Sequence, residues 1–136
     1  MADPGLLSYV PRLVRDWATT PDERHRLIEG SLLFVDLTGF TAMTERLAAL
    51  GRRGAEEVSA IISTTFEQML TEAYRAGGSL LKFGGDALLL LFEDDTHRND
   101  AAWSAWGIRR TLRTLGTFET PAGKVRLGLT SAIASG

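Results

Sequence analysis

No cysteine occurs in the 136 residues, which excludes disulfides and thiolate metal centres and suits a cytoplasmic protein. Histidine is nearly absent as well. His25 and His97 stand in polar stretches without companion ligands, so an imidazole metal site is not expected. Lysine is scarce: among 15 basic residues only Lys82 and Lys124 are lysines. The longest apolar run, Ala87 to Phe92, is far too short to span a bilayer, and Asp3, Pro4 and the early arginines interrupt any signal-peptide pattern. There is no excess of positive charge. A net charge of −2 argues against a general nucleic-acid binder. No repeat or low-complexity tract is visible.

What is present is the material of one soluble α+β domain. The chain is long enough to bury a sizeable core, and 44% hydrophobic with 24% charged residues is an ordinary globular balance. Residues 1–30 form a leader, in which Leu6, Tyr9, Val10, Leu13, Val14 and Trp17 are spaced for a short amphipathic helix. Ser31 to Val35 is an apolar run of strand length. Phe40, Met43, Leu47 and Leu50 recur at helical spacing up to Gly51. A longer helix follows from about Gly54, carrying Val58, Ile61, Phe66, Met69 and Ala73 on one face until Gly77-Gly78 stops it.

Ser79–Phe83 and Ala87–Phe92 read as two strands joined by Gly84-Gly85-Asp86, which is hairpin chemistry. A charged loop is expected over Glu93–Asp100 and a third helix over Ala101–Leu115. Val125, Leu127 and Leu129 then alternate with polar or small residues as one half-buried strand does. The order strand, helices, strand, strand, helix, strand predicts a ferredoxin-like split βαβ sheet with helices packed on one face. In that topology the first and second strands are parallel with a gap between them. The third strand turns back and fills the gap, so the end of the first strand meets the start of the third. Asp36 and Asp86 become neighbours.

Two adjacent carboxylates repel unless a cation neutralises them, and oxygen-only donors suit Mg²⁺ or Mn²⁺. Leu37-Thr-Gly-Phe-Thr41 leads into a helix start, whose backbone N–H groups favour phosphate, and Gly39 permits close approach. Metals bridging carboxylates and phosphates make a clamp for phosphoryl or nucleotidyl transfer. Blander readings exist for each part alone. Asp36 can be a helix cap shared with Thr38 or Thr41, the glycine pair a simple turn, and Lys82 a snorkelling strand residue. The two aspartates in this order on this topology favour the site. Trp103 and Trp106 are expected to be packing residues, and Glu93-Asp-Asp95 a solvated loop.

Phe34-Val-Asp-Leu-Thr-Gly-Phe-Thr41, then Leu81-Lys-Phe-Gly-Gly-Asp-Ala-Leu88 and Val125-Arg-Leu-Gly-Leu129, resemble the catalytic domain of class III nucleotide cyclases. The wording is nearest to the soluble bicarbonate-responsive adenylyl cyclases and their bacterial relatives, and the similarity covers residues 31–136. The resemblance implies conversion of ATP to cyclic AMP and pyrophosphate, in the service of intracellular signalling, with two Mg²⁺ or Mn²⁺ ions held by Asp36, Asp86 and the carbonyl of Leu37. Thr38, Gly39, Phe40, Thr41 and Gly85 would contact substrate, and Lys82 takes the place of a base-reading lysine. It further implies a homodimer or pairing with a second cyclase domain. The family's second base-reading residue, its ribose-orienting asparagine and its transition-state arginine find no counterpart up to Gly136, so the domain is expected to be C-terminally truncated and feeble alone. Two rivals stand beside this: a non-catalytic binding or dimerisation module, and a diguanylate-cyclase-like enzyme, against which Ala87-Leu88 replaces the acidic-aromatic pair expected after the glycines.

Overall fold

The computed structural model describes residues 10–136. A six-residue helix, α1 (Arg12–Trp17), precedes β1 (Ser31–Thr38), with irregular chain between them. None of its residues is buried, and Leu6 and Tyr9 of the expected leader helix lie outside the described residues. Two helices follow, α2 (Phe40–Ala48) and α3 (Arg52–Arg75), then the hairpin β2 (Ser79–Gly84) and β3 (Ala87–Phe92). After α4 (His97–Leu115) come β4 (Thr117–Thr120), β5 (Gly123–Arg126) and β6 (Gly128–Ser135).

The main sheet has the order β2-β3-β1-β6, with β3 antiparallel to both β1 and β2. This is the split βαβ arrangement, closed on its other side by β6 antiparallel to β1. Alternation along β1 sends Ser31, Leu33, Val35 and Leu37 inward. They join Leu88, Leu90 and Phe92 of β3 in one core with Met43 and Leu47 of α2, Ile61 and Met69 of α3, and Ile108 and Leu112 of α4. Each such side chain contributes about 1.5–3 kcal/mol on burial. The opposite face of the sheet stays open, with Leu32 39% and Phe34 46% exposed.

Three sequence expectations need correction. The helix α4 begins at His97, four residues before its apolar stripe. Its first turn is held by polar groups: the Thr96 hydroxyl donates to Asp100 (2.6 Å), and Asp100 sits where the helix dipole favours an acid. The alternation through Val125, Leu127 and Leu129 belongs to two strands. β5 leaves the main sheet to form a hairpin with β4, and the chain breaks at Leu127, whose N–H is taken by the Gly116 carbonyl (2.8 Å). Finally, Trp103 and Trp106 are not packing residues. They lie 65% and 53% exposed on the solvent side of α4, edge to face with each other, while Ala101, Ser104, Ile108 and Leu112 face the core.

His97 is buried and serves the fold. Its Nδ1 lies 2.7 Å from the Ser31 hydroxyl, which also lies 2.6 Å from the hydroxyl of Ser135. One polar chain thus ties the start of α4 to β1 and β6. We expect Ser31→Ala to lower stability by about 1–3 kcal/mol, because it strands the buried imidazole nitrogen. Urea unfolding checks this. A midpoint equal to that of the parent protein would show the chain of hydroxyls to be dispensable.

Candidate active site

Asp36 is the sixth residue of β1 and alternates onto the open face, half-buried, opposite Ala87 of β3 and Thr130 of β6. One residue further, the Leu37 N–H donates to the carbonyl of Asp86 (3.0 Å). The β2–β3 loop is the two-residue Gly85-Asp86, with Gly85 at φ +72° and Asp86 at ordinary negative φ. That is the pattern of a type II′ turn, which demands glycine first and matches the twist of the strands. The hairpin therefore delivers Asp86, half-buried, to the end of β1.

Beyond Asp36 the strand ends at Thr38, and Gly39 turns the chain into α2 at φ +86°. A Cβ at Gly39 would sit 2.8 Å from the carbonyl oxygen of Arg126, so this turn is closed to larger residues on two grounds. Gly39 is itself the N-cap of α2 and supplies no side-chain hydrogen bond. Asp36, Thr38 and Thr41 do not cap the helix, which removes the blandest account of Asp36. The first amides of α2, from Phe40 and Thr41, lack intrahelical acceptors and present the positive end of the helix dipole. Thr38, Gly39 and Thr41 are exposed, and Phe40 is half-buried against the core.

Lys82 is exposed and shares a cross-strand row with Leu89 and Phe34, two positions along the strands from the row of Gly84, Ala87 and Asp36. It thus stands on the Asp36 face of the sheet, away from the core. Gly85 holds the turn and adds no side chain. Every sequence-predicted residue is accordingly gathered around the end of β1 or the adjoining β2–β3 hairpin.

The donor set fits a hard divalent cation. Neither Asp36 nor Asp86 is engaged by an ion pair among the described residues, and no third His, Cys, Asp or Glu joins them there. Two carboxylates without a basic partner leave room for phosphate oxygens and water around Mg²⁺ or Mn²⁺. The largest cavity described, about 670 Å³, lies between α1, the end of α3 and β2, with Lys82 in its wall. No carboxylate lines it, so its size is no guide to the chemistry.

A smaller cavity was not anticipated. About 290 Å³ in volume, it is bounded by Thr38, Arg109, Arg113, Arg126 and apolar residues of α4 and β6. Arg126 was legible only as a polar residue in an alternating strand. Its closeness to Gly39 depends on the break at Leu127, for which the sequence carries no plain signal.

Comparison with known proteins agrees with the fold. No protein-family model matches the chain. A 70-residue stretch is 41% identical to rat adenylate cyclase type 10, and 66 residues are 44% identical to the human protein. These stretches cover 50% and 47% of this chain, and 4% of each relative. A bacterial light-regulated adenylyl cyclase superposes with a TM-score of 0.73 at 22% identity, over 95% of this chain and 38% of that one. The chain has the fold of a class III nucleotide cyclase domain. A guanylate cyclase domain from Catenaria anguillulae, in complex with GTP, shares the cyclase fold at a TM-score of 0.58 and 23% identity, covering 80% of this chain and 59% of that one. The GGDEF domain of PA1120 from Pseudomonas aeruginosa reaches 0.61 at 18% identity, over 98% of this chain and 75% of that one. Among the described residues no helix is long and apolar enough to cross a membrane.

Proposed function

We propose that this chain is the metal- and triphosphate-binding portion of a nucleotide cyclase that converts ATP to cyclic AMP and pyrophosphate. The observation that supports the reading is the backbone bond from Leu37 to Asp86, which ties the β2–β3 turn carrying Asp86 to the end of β1, one residue beyond Asp36. Asp36 and Asp86, with the carbonyl of Leu37, would hold Mg²⁺ or Mn²⁺. When bound, the ions supply Lewis acidity toward the ribose 3′-hydroxyl and charge neutralisation toward the triphosphate. The α2 amides of Phe40 and Thr41 receive phosphate oxygens, with Gly39 leaving the approach open. The 3′-hydroxyl attacks the α-phosphorus in line, the bond to the β-phosphate oxygen breaks, and pyrophosphate leaves. Lys82, on the same sheet face, reads the edge of the base.

The open face of the sheet supports pairing with a second cyclase domain. Leu32 and Phe34 lie exposed in line with Asp36, an apolar strip beside a polar site. A partner seated there would cover the nucleotide and add further catalytic groups. We expect the purified chain to bind a non-hydrolysable ATP analogue only with Mn²⁺ or Mg²⁺ present, and to form little cyclic AMP. Titration calorimetry and product chromatography test both points. Vigorous turnover by the chain alone would sink the view that it is half of a site. A second reading, a diguanylate-cyclase-like enzyme, draws on Gly84-Gly85-Asp86 and the likeness to a GGDEF domain. Conversion of GTP to a cyclic dinucleotide, with ATP inert, would favour it.

A further inference from the structure

The exposed side of α4 carries Trp103 and Trp106 together with Arg98, Arg109, Arg110 and Arg113, and no acid. Helical spacing turns these residues away from Ala101, Ser104, Ile108 and Leu112, which face the core. The one acid of α4, Asp100, is engaged by the Thr96 hydroxyl in the first turn. Glu72 of α3, which reaches α4 at Gly107, is paired with Arg75 (2.9 Å). Among the described residues none of the four arginines forms an ion pair. The Arg110 guanidinium lies instead over the Trp106 ring, 4.8 Å from its centroid. Positive charge is thus gathered on one helix face of a chain whose net charge is −2.

A single exposed indole needs no partner, and Arg113 in the last turn of α4 answers the helix dipole. Two indoles meeting edge to face and flanked by arginines form a patch, not strays. Charge selects the occupant. A second copy of this chain seated on the same face would set arginine against arginine. Shape narrows the choice. A depression of about 480 Å³ lies against the indoles, and Asn99, Ala102, Trp103 and Trp106, all of α4, line it. A peptide helix is recognised in a groove, and here no second element supplies the other wall. A flat anionic lipid surface needs no groove: indoles settle at headgroup level and guanidinium groups meet phosphates. We propose that the outer face of α4 docks on an anionic phospholipid membrane, with Trp103 and Trp106 entering the headgroup layer and the four arginines meeting lipid phosphates. The open face of the sheet, with Leu32, Phe34 and Asp36, lies on the other side of the domain from the helices and stays free in a docked chain.

The test is co-sedimentation of the full chain with vesicles of two parts phosphatidylcholine to one part phosphatidylglycerol, at low ionic strength and with a chelator. Vesicles of phosphatidylcholine alone are the comparison. Binding is expected only to the anionic vesicles, falling as salt is added, with tryptophan emission shifting to the blue. Trp103→Ala/Trp106→Ala should lose the blue shift and most of the binding, with Trp17 left as the internal reference. Each arginine near an anionic surface contributes roughly fivefold to partitioning, so Arg109→Gln/Arg113→Gln should weaken binding by about 25-fold. Arg109→Lys/Arg113→Lys should bind as the parent does, because the surface answers to charge. All these positions are exposed, and circular dichroism verifies that each variant is folded. Absence of binding by the parent overturns the proposal, as does equal binding to neutral vesicles or parent-like binding by the alanine or glutamine variant. Capture of poly-L-glutamate by a parent that ignores vesicles would assign the face to an acidic protein segment and overturn the membrane reading. The assay holds neither nucleotide nor divalent metal, so its outcome is independent of the Asp36–Asp86 reading.

Discussion

Replacing Asp86 by asparagine is expected to abolish Mn²⁺-dependent binding of an ATP analogue, a loss of more than about 100-fold, while leaving the fold unchanged. The size follows from what the residue does. Altering groups that merely support metal ligands typically costs 10–100-fold in affinity, and in the proposed site Asp86 is a direct ligand. The amide keeps the volume but removes the charge, leaving Asp36 as the one carboxylate of the proposed metal site. The turn survives because its conformational demand falls on Gly85, and asparagine is an ordinary turn residue. The thermal midpoint should therefore stay within the range of a surface substitution, about 0.5 kcal/mol. Calorimetry on parent and variant, with and without Mn²⁺, reads the outcome. Nucleotide binding that persists in Asp86→Asn and ignores Mn²⁺ would displace the metal pair from the centre of the site. Asp36→Asn should behave likewise, since β1 and the hairpin each bring one half of the pair.

Much of this arrangement is legible in the sequence. The apolar runs, the glycine pair at Gly77-Gly78 and the hairpin glycines determine element order, and the order determines that β3 lies between β1 and β2. From there the meeting of Asp36 and Asp86 follows without knowledge of a single side-chain contact. The parts that were not legible share a physical cause. The first turn of α4 is polar and held by Thr96 and Asp100, so a search for apolar spacing starts too late. The β4–β5 hairpin hides because Val125, Leu127 and Leu129 alternate correctly across a break that only the Leu127–Gly116 bond reveals. Trp103 and Trp106 mislead for the converse reason. Large aromatic residues usually belong inside, yet the buried face of α4 is built from Ala101, Ser104, Gly107 and Ile108, small enough to sit close to α3 and the sheet. The arginine cavity depends on the same break at Leu127 and was invisible with it.

Substituting Gly54 by alanine is expected to be the most destabilising single-methyl change in the chain. Gly54 is buried near the start of α3, and a Cβ there would lie 1.7 Å from the carbonyl oxygen of Leu47 and 2.6 Å from its carbon. The obstacle is backbone, so no side-chain rotation relieves it. Only the three residues Ala49 to Gly51 join α2 to α3, which leaves little freedom for the helices to part. Relief must come by lifting the end of α2, which carries the fully buried Leu47 and, one turn earlier, Met43. Overpacking of this kind costs about 1–3 kcal/mol, and partial exposure of each of those side chains forfeits part of a further 1.5–3 kcal/mol. A total of about 3 kcal/mol or more lowers the melting temperature by on the order of 10 °C. Gly51→Ala is the control. It has open space around it but a φ of +65° with ψ −139°, a conformation that essentially only glycine adopts, so it should cost backbone strain of about 1–3 kcal/mol and no packing. Because α2 also presents the amides of Phe40 and Thr41, the Gly54 variant should weaken metal-dependent nucleotide binding at temperatures where it remains folded, and Gly51→Ala should not. Calorimetric melting and binding at one temperature distinguish these outcomes. If Gly54→Ala melts within two degrees of the parent, the close contact of α2 with α3 is not what fixes the entrance to the site.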